Sequence, residues 1–298
     1  GTNRHQDFEG LGNALPNAQH RTDMEWIKKM GANFVRLAHY PQDPVVLQNT
    51  DRLGLLVWEE IPMVNYMNMS PQFIENAKIM IREMIRQHYN HPSVILWGSS
   101  NEIFLWSGEG RRAREIKNKE YMKGVQKRIN ILDSLIHEED PFRLSGMAIH
   151  GGDAYDKAEI TDIPDVLAFN QYFGWYGGVF SSLGRSLDRR HKNHPRENIF
   201  ISEYGAGNDT RIHGAHPERF DFSGNYARLY HESHIRQIQE RSWLAGTSIW
   251  NQFDFSQPHT GGTLQHLNQK GLQAWDRKPK DTYYLYKANW NPEPMVYI

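Results

Sequence analysis

His91-Pro-Ser-Val-Ile-Leu-Trp-Gly-Ser-Ser-Asn-Glu102 is the stretch on which the fold turns. His91-Pro92 is a turn signal. Val94 to Trp97 is an apolar, β-favouring run, and small polar residues then lead to a single carboxylate, Glu102. An apolar run bounded in this way reads as a buried strand. In an α/β barrel the chemistry sits just past the C-terminal ends of such strands. Asn101-Glu102 is therefore a candidate catalytic pair. The plainer reading has Glu102 opening the next helix and complementing its N-terminal dipole.

Working outward, the same alternation repeats. Helical patterns cover 20–30, 43–52, 71–89, 112–138, 225–239 and 279–290, with Pro71 well placed in a first turn. Strands are expected at 32–37, 54–58, 94–97, 141–147, 166–169, 198–201 and 244–250. Gly1 to His5 reads like the end of a further strand already in progress. Residues 177–197, rich in Gly, Ser, Arg and His, read as irregular. Their basic residues Arg185, Arg189, Arg190 and Lys192 suggest either a solvated surface loop or a substrate loop. Strand–helix alternation implies a parallel sheet. A doubly wound sheet would show an early Gly-rich phosphate turn, and none is present. The expected fold is an α/β protein, a (β/α)8 TIM barrel, spanning 1–298 as one catalytic domain.

Composition narrows the function classes. The chain has 298 residues, 39% hydrophobic and 23% charged, as a globular protein does. A net charge of −1 gives no electrostatic footprint for nucleic acid, and no apolar run is long enough to span a bilayer. With no cysteines, disulfides and thiolate metal sites are excluded. The 9 Trp and 14 Tyr fit either a large core or platforms for sugar rings.

The polar residues of interest recur at strand ends: His5, His39, Glu59 or Glu60, Asn101-Glu102, Tyr172, Glu203 and Trp250-Asn251. In a barrel those ends converge on one face. Glu102 and Glu203 follow the fourth and seventh strands, so they face each other across the mouth. Two opposed carboxylates are the equipment of glycoside hydrolysis, with retention at a separation of about 5–5.5 Å and inversion at roughly 6.5–9.5 Å. Two other classes compete. A non-catalytic carbohydrate-binding barrel predicts loss of a carboxylate. A metal-dependent hydrolase using His5, His39 and Glu60 predicts a His-x-His on the first strand, which has a single His.

Five motifs in order carry a family resemblance: Gly1-Thr-Asn-Arg-His5, Val35-Arg-Leu-Ala-His-Tyr-Pro41, His91 to Trp97 with Asn101-Glu102, Ile201-Ser-Glu-Tyr-Gly205 and Asn268-Gln-Lys-Gly271. From residue 1 to about 290 the chain resembles the catalytic barrel of glycoside hydrolase family 2, which includes β-galactosidases, β-glucuronidases and β-mannosidases. The resemblance implies a retaining exo-β-glycosidase, with Glu102 as general acid/base and Glu203 as nucleophile. It implies that Asn101 binds the sugar 2-hydroxyl, that Tyr172 hydrogen-bonds the nucleophile, and that His5 and His39 contact the substrate. Arg36 would hold a carboxylate in place, and Trp250 would be the sugar platform. Asn268 and Lys270 match a pair that binds the sugar carboxylate in β-glucuronidases. The same Asn-x-Lys-Gly element, followed by a stretch like Asp276 to Lys280, also resembles gut-bacterial members that look like β-galactosidases. The expectation is a β-galactosidase, with β-glucuronidase as the alternative. Some members hold Mg²⁺ with a Glu-x-His element. Here Glu60 is followed by Ile61 and Pro62, so no metal and no cofactor is expected. The expected partner is a glycoside or saccharide, with no nucleic acid and no membrane insertion. The resemblance further suggests N-terminal β-sandwich domains in a longer chain, homo-oligomerisation through that chain, and a periplasmic or secreted bacterial protein.

Overall fold

The computed structural model describes residues 1–107, 117–258 and 262–296. Eight parallel strands run in sequence order, β1 to β8. They are β1 (Thr2–Arg4), β2 (Phe34–Leu37), β3 (Leu56–Glu60), β4 (Val94–Asn101), β5 (Leu144–Ile149), β6 (Val166–Asn170), β7 (Ile199–Glu203) and β8 (Gly246–Thr247). A parallel bridge between Thr2 and Ile249 closes the ring, with the Asn3 amide donating to the Ile249 carbonyl at 2.8 Å. A closed barrel leaves no unpaired edge.

Helices α1 (Asn17–Lys29), α2 (Pro44–Leu53), α3 (Pro71–His88), α4 (Lys119–Glu139), α5 (Ala154–Lys157), α6 (Ser182–Asn193), α7 (Gly224–Gln239) and α8 (Asp281–Trp290) join the strands and follow the last of them. Their starts follow capping chemistry. Asp43 accepts the Val45 amide at 2.8 Å, Ser70 the Phe73 amide at 3.3 Å, and Pro44 and Pro71 take first-turn positions. The part of the expected 112–138 helix before Lys117 lies outside the described residues.

Strands buried on both faces have two apolar jobs. Outward, side chains such as Val35, Val57 and Trp97 join the large core beneath the helices. Inward, Phe34, Trp58, Leu96, Ala148, Val166, Ala168 and Phe200 plug the barrel. Glycine makes room for the large plug rings: a Cβ on Gly98 would lie 2.3 Å from Trp58 Nε1, and one on Gly246 would lie 2.4 Å from a Phe200 ring carbon.

The 177–197 segment departs from expectation. Ser182–Asn193 is a helix, α6, whose Leu183 and Leu187 are buried one turn apart. Two apolar anchors suffice to dock it, too few to register as a periodic stripe. Two of its cations engage protein partners. Arg190 pairs with Asp156 at 2.7 Å and with Glu197, and Arg185 turns back to Ser181 and Ser182.

Candidate active site

The strand ends open into a cavity of about 1060 Å³. Eight of the ten residues singled out in the sequence line it: His5, His39, Asn101, Glu102, Tyr172, Glu203, Trp250 and Asn268. Arg36 and Lys270 are buried behind the wall, at 0% and 4% exposure.

Arg36, from β2, is the hub. Its guanidinium lies 4.9 Å above the Trp58 ring, on top of the apolar plug. Arg36 donates to both oxygens of Glu60 at 2.9 and 3.0 Å, to Glu203 Oε1 at 3.0 Å and to Asn101 Oδ1 at 3.0 Å. A planar fork of five donors is suited to such a crossing point. Burial would raise the Glu60 carboxyl, but Arg36 and His39 outweigh it and hold it below its ordinary value. Glu60 and His39 Nδ1 are 2.6 Å apart, so Nδ1 is assigned as the donor.

The two candidate carboxylates differ in surroundings. Glu203, at the end of β7, receives Arg36 on Oε1 and the Tyr172 hydroxyl on Oε2 at 2.8 Å. Burial and the Glu203 charge push the Tyr172 phenol well above its usual range, so it stays a donor. Glu102 is pushed up to about 7, first by burial and then by the charge of Glu203; a hydrogen bond from Asn170 and the charge of Arg36 pull the other way. Its backbone has φ +51°, a left-handed conformation uncommon for a residue with a side chain. The Glu102 amide donating to the Ala148 carbonyl at 2.9 Å and the Leu105 amide donating back at 2.8 Å hold it there. Glu203 is oriented by two donors, while burial and the neighbouring charge hold Glu102 above the usual carboxylate range, an arrangement that can separate a nucleophile from an acid.

Aromatic rings form one flank. Trp250 stacks on His39 at 5.1 Å and meets His5 edge-on at 5.2 Å, while Phe255 stacks on His5 at 4.0 Å. Burial, then His39 and Arg36, keep the His5 imidazole well below its ordinary value, hence neutral. The Lys270 ammonium lies 5.0–5.9 Å from the ring centroids of Tyr176, Tyr172 and Trp175. It makes no ion pair among the described residues. Asn268 accepts the Lys270 amide at 3.2 Å and donates to Gln257 at 2.8 Å. This segment is clamped from below: buried Lys280 donates to the carbonyls of Asn208 and Gln269 and to Asp254, at 2.8, 3.2 and 2.8 Å.

Sequence reasoning missed Asn170, Tyr40, His150 and Phe255, all of which line the cavity. Asn170 ends a strand, so the strand-end rule could have found it. His150 directly follows β5, so the same rule reaches it; Tyr40 lies in the turn after β2, and Phe255 in a short strand, Phe255–Ser256, after β8. Among the described residues one trio has metal-ligand proximity, Asp162, His194 and Glu197. It lies before β6 and β7, at the opposite end of the barrel, and Arg190 already engages Glu197.

Comparison with known proteins agrees with this geometry. The family model described as "Glycosyl hydrolases family 2, TIM barrel domain" matches residues 1–293. The chain is 38% identical over 315 residues to a β-glucuronidase of Bacteroides fragilis, covering 100% of this chain and 42% of that protein. It is 30% identical over 307 residues to a β-galactosidase of Thermoanaerobacterium thermosulfurigenes, covering 99% of this chain and 37% of that protein. The crystal structure of a Bacteroides uniformis β-glucuronidase superposes with a TM-score of 0.94 at 40% identity, over 98% of this chain and 35% of that one. The chain thus spans less than half the length of these relatives.

Proposed function

The chain belongs to glycoside hydrolase family 2, and on that premise we propose that it is the catalytic barrel of a retaining exo-β-glucuronidase. The expectation of a β-galactosidase gives way here to its alternative. The observation that carries the change is Lys270: a buried ammonium beside the cavity, ringed by aromatics and lacking a carboxylate partner among the described residues. A buried cation is costly unless paired, and a sugar C6 carboxylate would supply the missing charge. The β-glucuronidase names among the more identical relatives support the same choice.

The chemistry follows from the environments. Glu203, aimed by Arg36 and Tyr172, attacks the anomeric carbon. Glu102, protonated at rest, gives its proton to the departing glycosidic oxygen. Formation of the ester removes the Glu203 charge, one of the causes that raise Glu102. Glu102 then becomes more acidic, as it must to take a proton from the incoming water. With Arg36 and Asn170 donating to Asn101 Oδ1, the Asn101 Nδ2 donors are left for the sugar 2-hydroxyl.

A mechanism-based inactivator bearing a C6 carboxylate and a fluorine at C2 tests the reading. Intact mass and peptide mapping should show one glycosyl adduct, on Glu203. Turnover without an adduct, or an adduct elsewhere, would refute it.

A further inference from the structure

Asn170, at the end of β6, is 3% exposed in the cavity wall, and in the reaction as written above it only helps to orient Asn101. Its Nδ2 donates to Glu102 Oε1 at 2.7 Å and to Asn101 Oδ1 at 3.1 Å. Its Oδ1 accepts the hydroxyl of Ser202 at 2.6 Å. Ser202 is fully buried and directly precedes Glu203. These partners fix the amide from both ends. Asn101 Oδ1 is held as an acceptor because Arg36 also donates to it. A flipped Asn170 would set its carbonyl oxygen against two acceptors, Asn101 Oδ1 and Glu102 Oε1, and would abandon the Ser202 proton. The strand register contributes: an irregularity between Ala168 and Asn170 brings Asn170 opposite Glu203.

We propose that Asn170, clamped by Ser202, is a positioning residue for Glu102: as a fixed donor it occupies Oε1, and so assigns the shuttled proton to Oε2. The proposal rests on Glu102 being the acid/base. In the first step the Oε2 proton passes to the glycosidic oxygen, which keeps the bonding pair as its bond to C1 breaks and the Glu203–C1 bond forms. In the second, water oxygen bonds to C1, the Glu203–C1 bond breaks, and one water proton passes to Oε2. Donation to Oε1 favours the carboxylate present between the two transfers. It therefore opposes the other influences that raise this group. The charged and titratable groups facing Glu102 are Glu203 from β7, Arg36 from β2, Tyr172 after β6 and Tyr155 from α5. Among the described residues Asn170 alone donates a hydrogen bond to its carboxyl.

The test compares wild type, Asn170→Ala and Ser202→Ala in the intact protein, using an aryl glycoside with a poor leaving group. Losing a hydrogen bond to a charged group should move the alkaline limb of kcat/KM up by about one to two pH units in Asn170→Ala. Ser202→Ala should move it the same way by less. In a Glu102→Ala background, Asn170→Ala should add less than about threefold further loss, since coupled residues are not additive. An unmoved limb in both single variants, with rates merely reduced, would overturn the proposal. So would a fully additive loss in the double variant, which would mean that Asn170 acts on the sugar itself. If Asn170→Ala fails to fold by circular dichroism, the limb of Ser202→Ala decides. Should Glu102→Ala leave poor-leaving-group turnover intact, it is the acid/base reading that fails instead.

Discussion

Replacing Lys270 with Met tests the origin of substrate choice. Methionine keeps an unbranched stem against Tyr172, Trp175 and Tyr176 but removes the charge. The ammonium is buried and without an ion pair among the described residues, so a substrate carboxylate near it would meet an unneutralised cation. At a separation of about 4 Å and an effective dielectric of about 20, such a contact is worth ~4 kcal/mol. Stripping water from the carboxylate consumes part of this, leaving ~2–3 kcal/mol, or roughly 30–150-fold in kcat/KM. A β-galactoside has no charge at C6 for the ammonium to meet, and its kcat/KM should change less than about threefold, since methionine keeps the stem packing. The assay is kcat/KM for nitrophenyl β-glucuronide and nitrophenyl β-galactoside in wild type and Lys270→Met. The ratio cancels any error in active-enzyme concentration. An equal fall for both sugars, or an unchanged glucuronide, would refute the role given to Lys270.

Further outcomes follow from the two carboxylates and their hub. Burial and Glu203 push Glu102 up to about 7, and as the proposed acid it acts protonated, so kcat/KM should hold below that pH and fall about tenfold per unit above it; a flat profile to pH 9 would contradict this. Glu102→Ala should spare substrates with good leaving groups and be partly rescued by azide, whereas uniform loss would argue against an acid role. Arg36→Met should strand the buried carboxylates Glu60 and Glu203 without their cation. Such a broken buried pair costs about 3–5 kcal/mol, read as a lower midpoint in urea; unchanged stability would contradict the hub assignment.

Much of this site could be read from the chain because of one geometric fact. Residues placed just after apolar runs end up on the same face of a barrel, so His5, His39, Asn101, Glu102, Tyr172, Glu203 and Trp250 could be grouped without knowing any contact. What a linear reading could not supply is who pairs with whom. Glu60 looked like half of a metal motif; in the fold it is a counter-charge for Arg36 and His39. Lys270 stood out as half of a carboxylate-binding pair, but its burial among three rings came only from the packing. Helix α6 was missed because two leucines anchor it and its remaining surface is polar. Asn170 was passed over because no carboxylate follows it in the chain as Glu102 follows Asn101, and its part depends on Ser202, a residue 32 positions away.

The most direct test is a side-by-side panel of nitrophenyl β-glucuronide, β-galactoside and β-mannoside on the intact protein, read as kcat/KM at a pH below 7. The glucuronide should lead the other two by about a hundredfold, the discrimination expected of ~3 kcal/mol from one buried charge contact. A galactoside or mannoside turned over as well as the glucuronide would contradict the assignment.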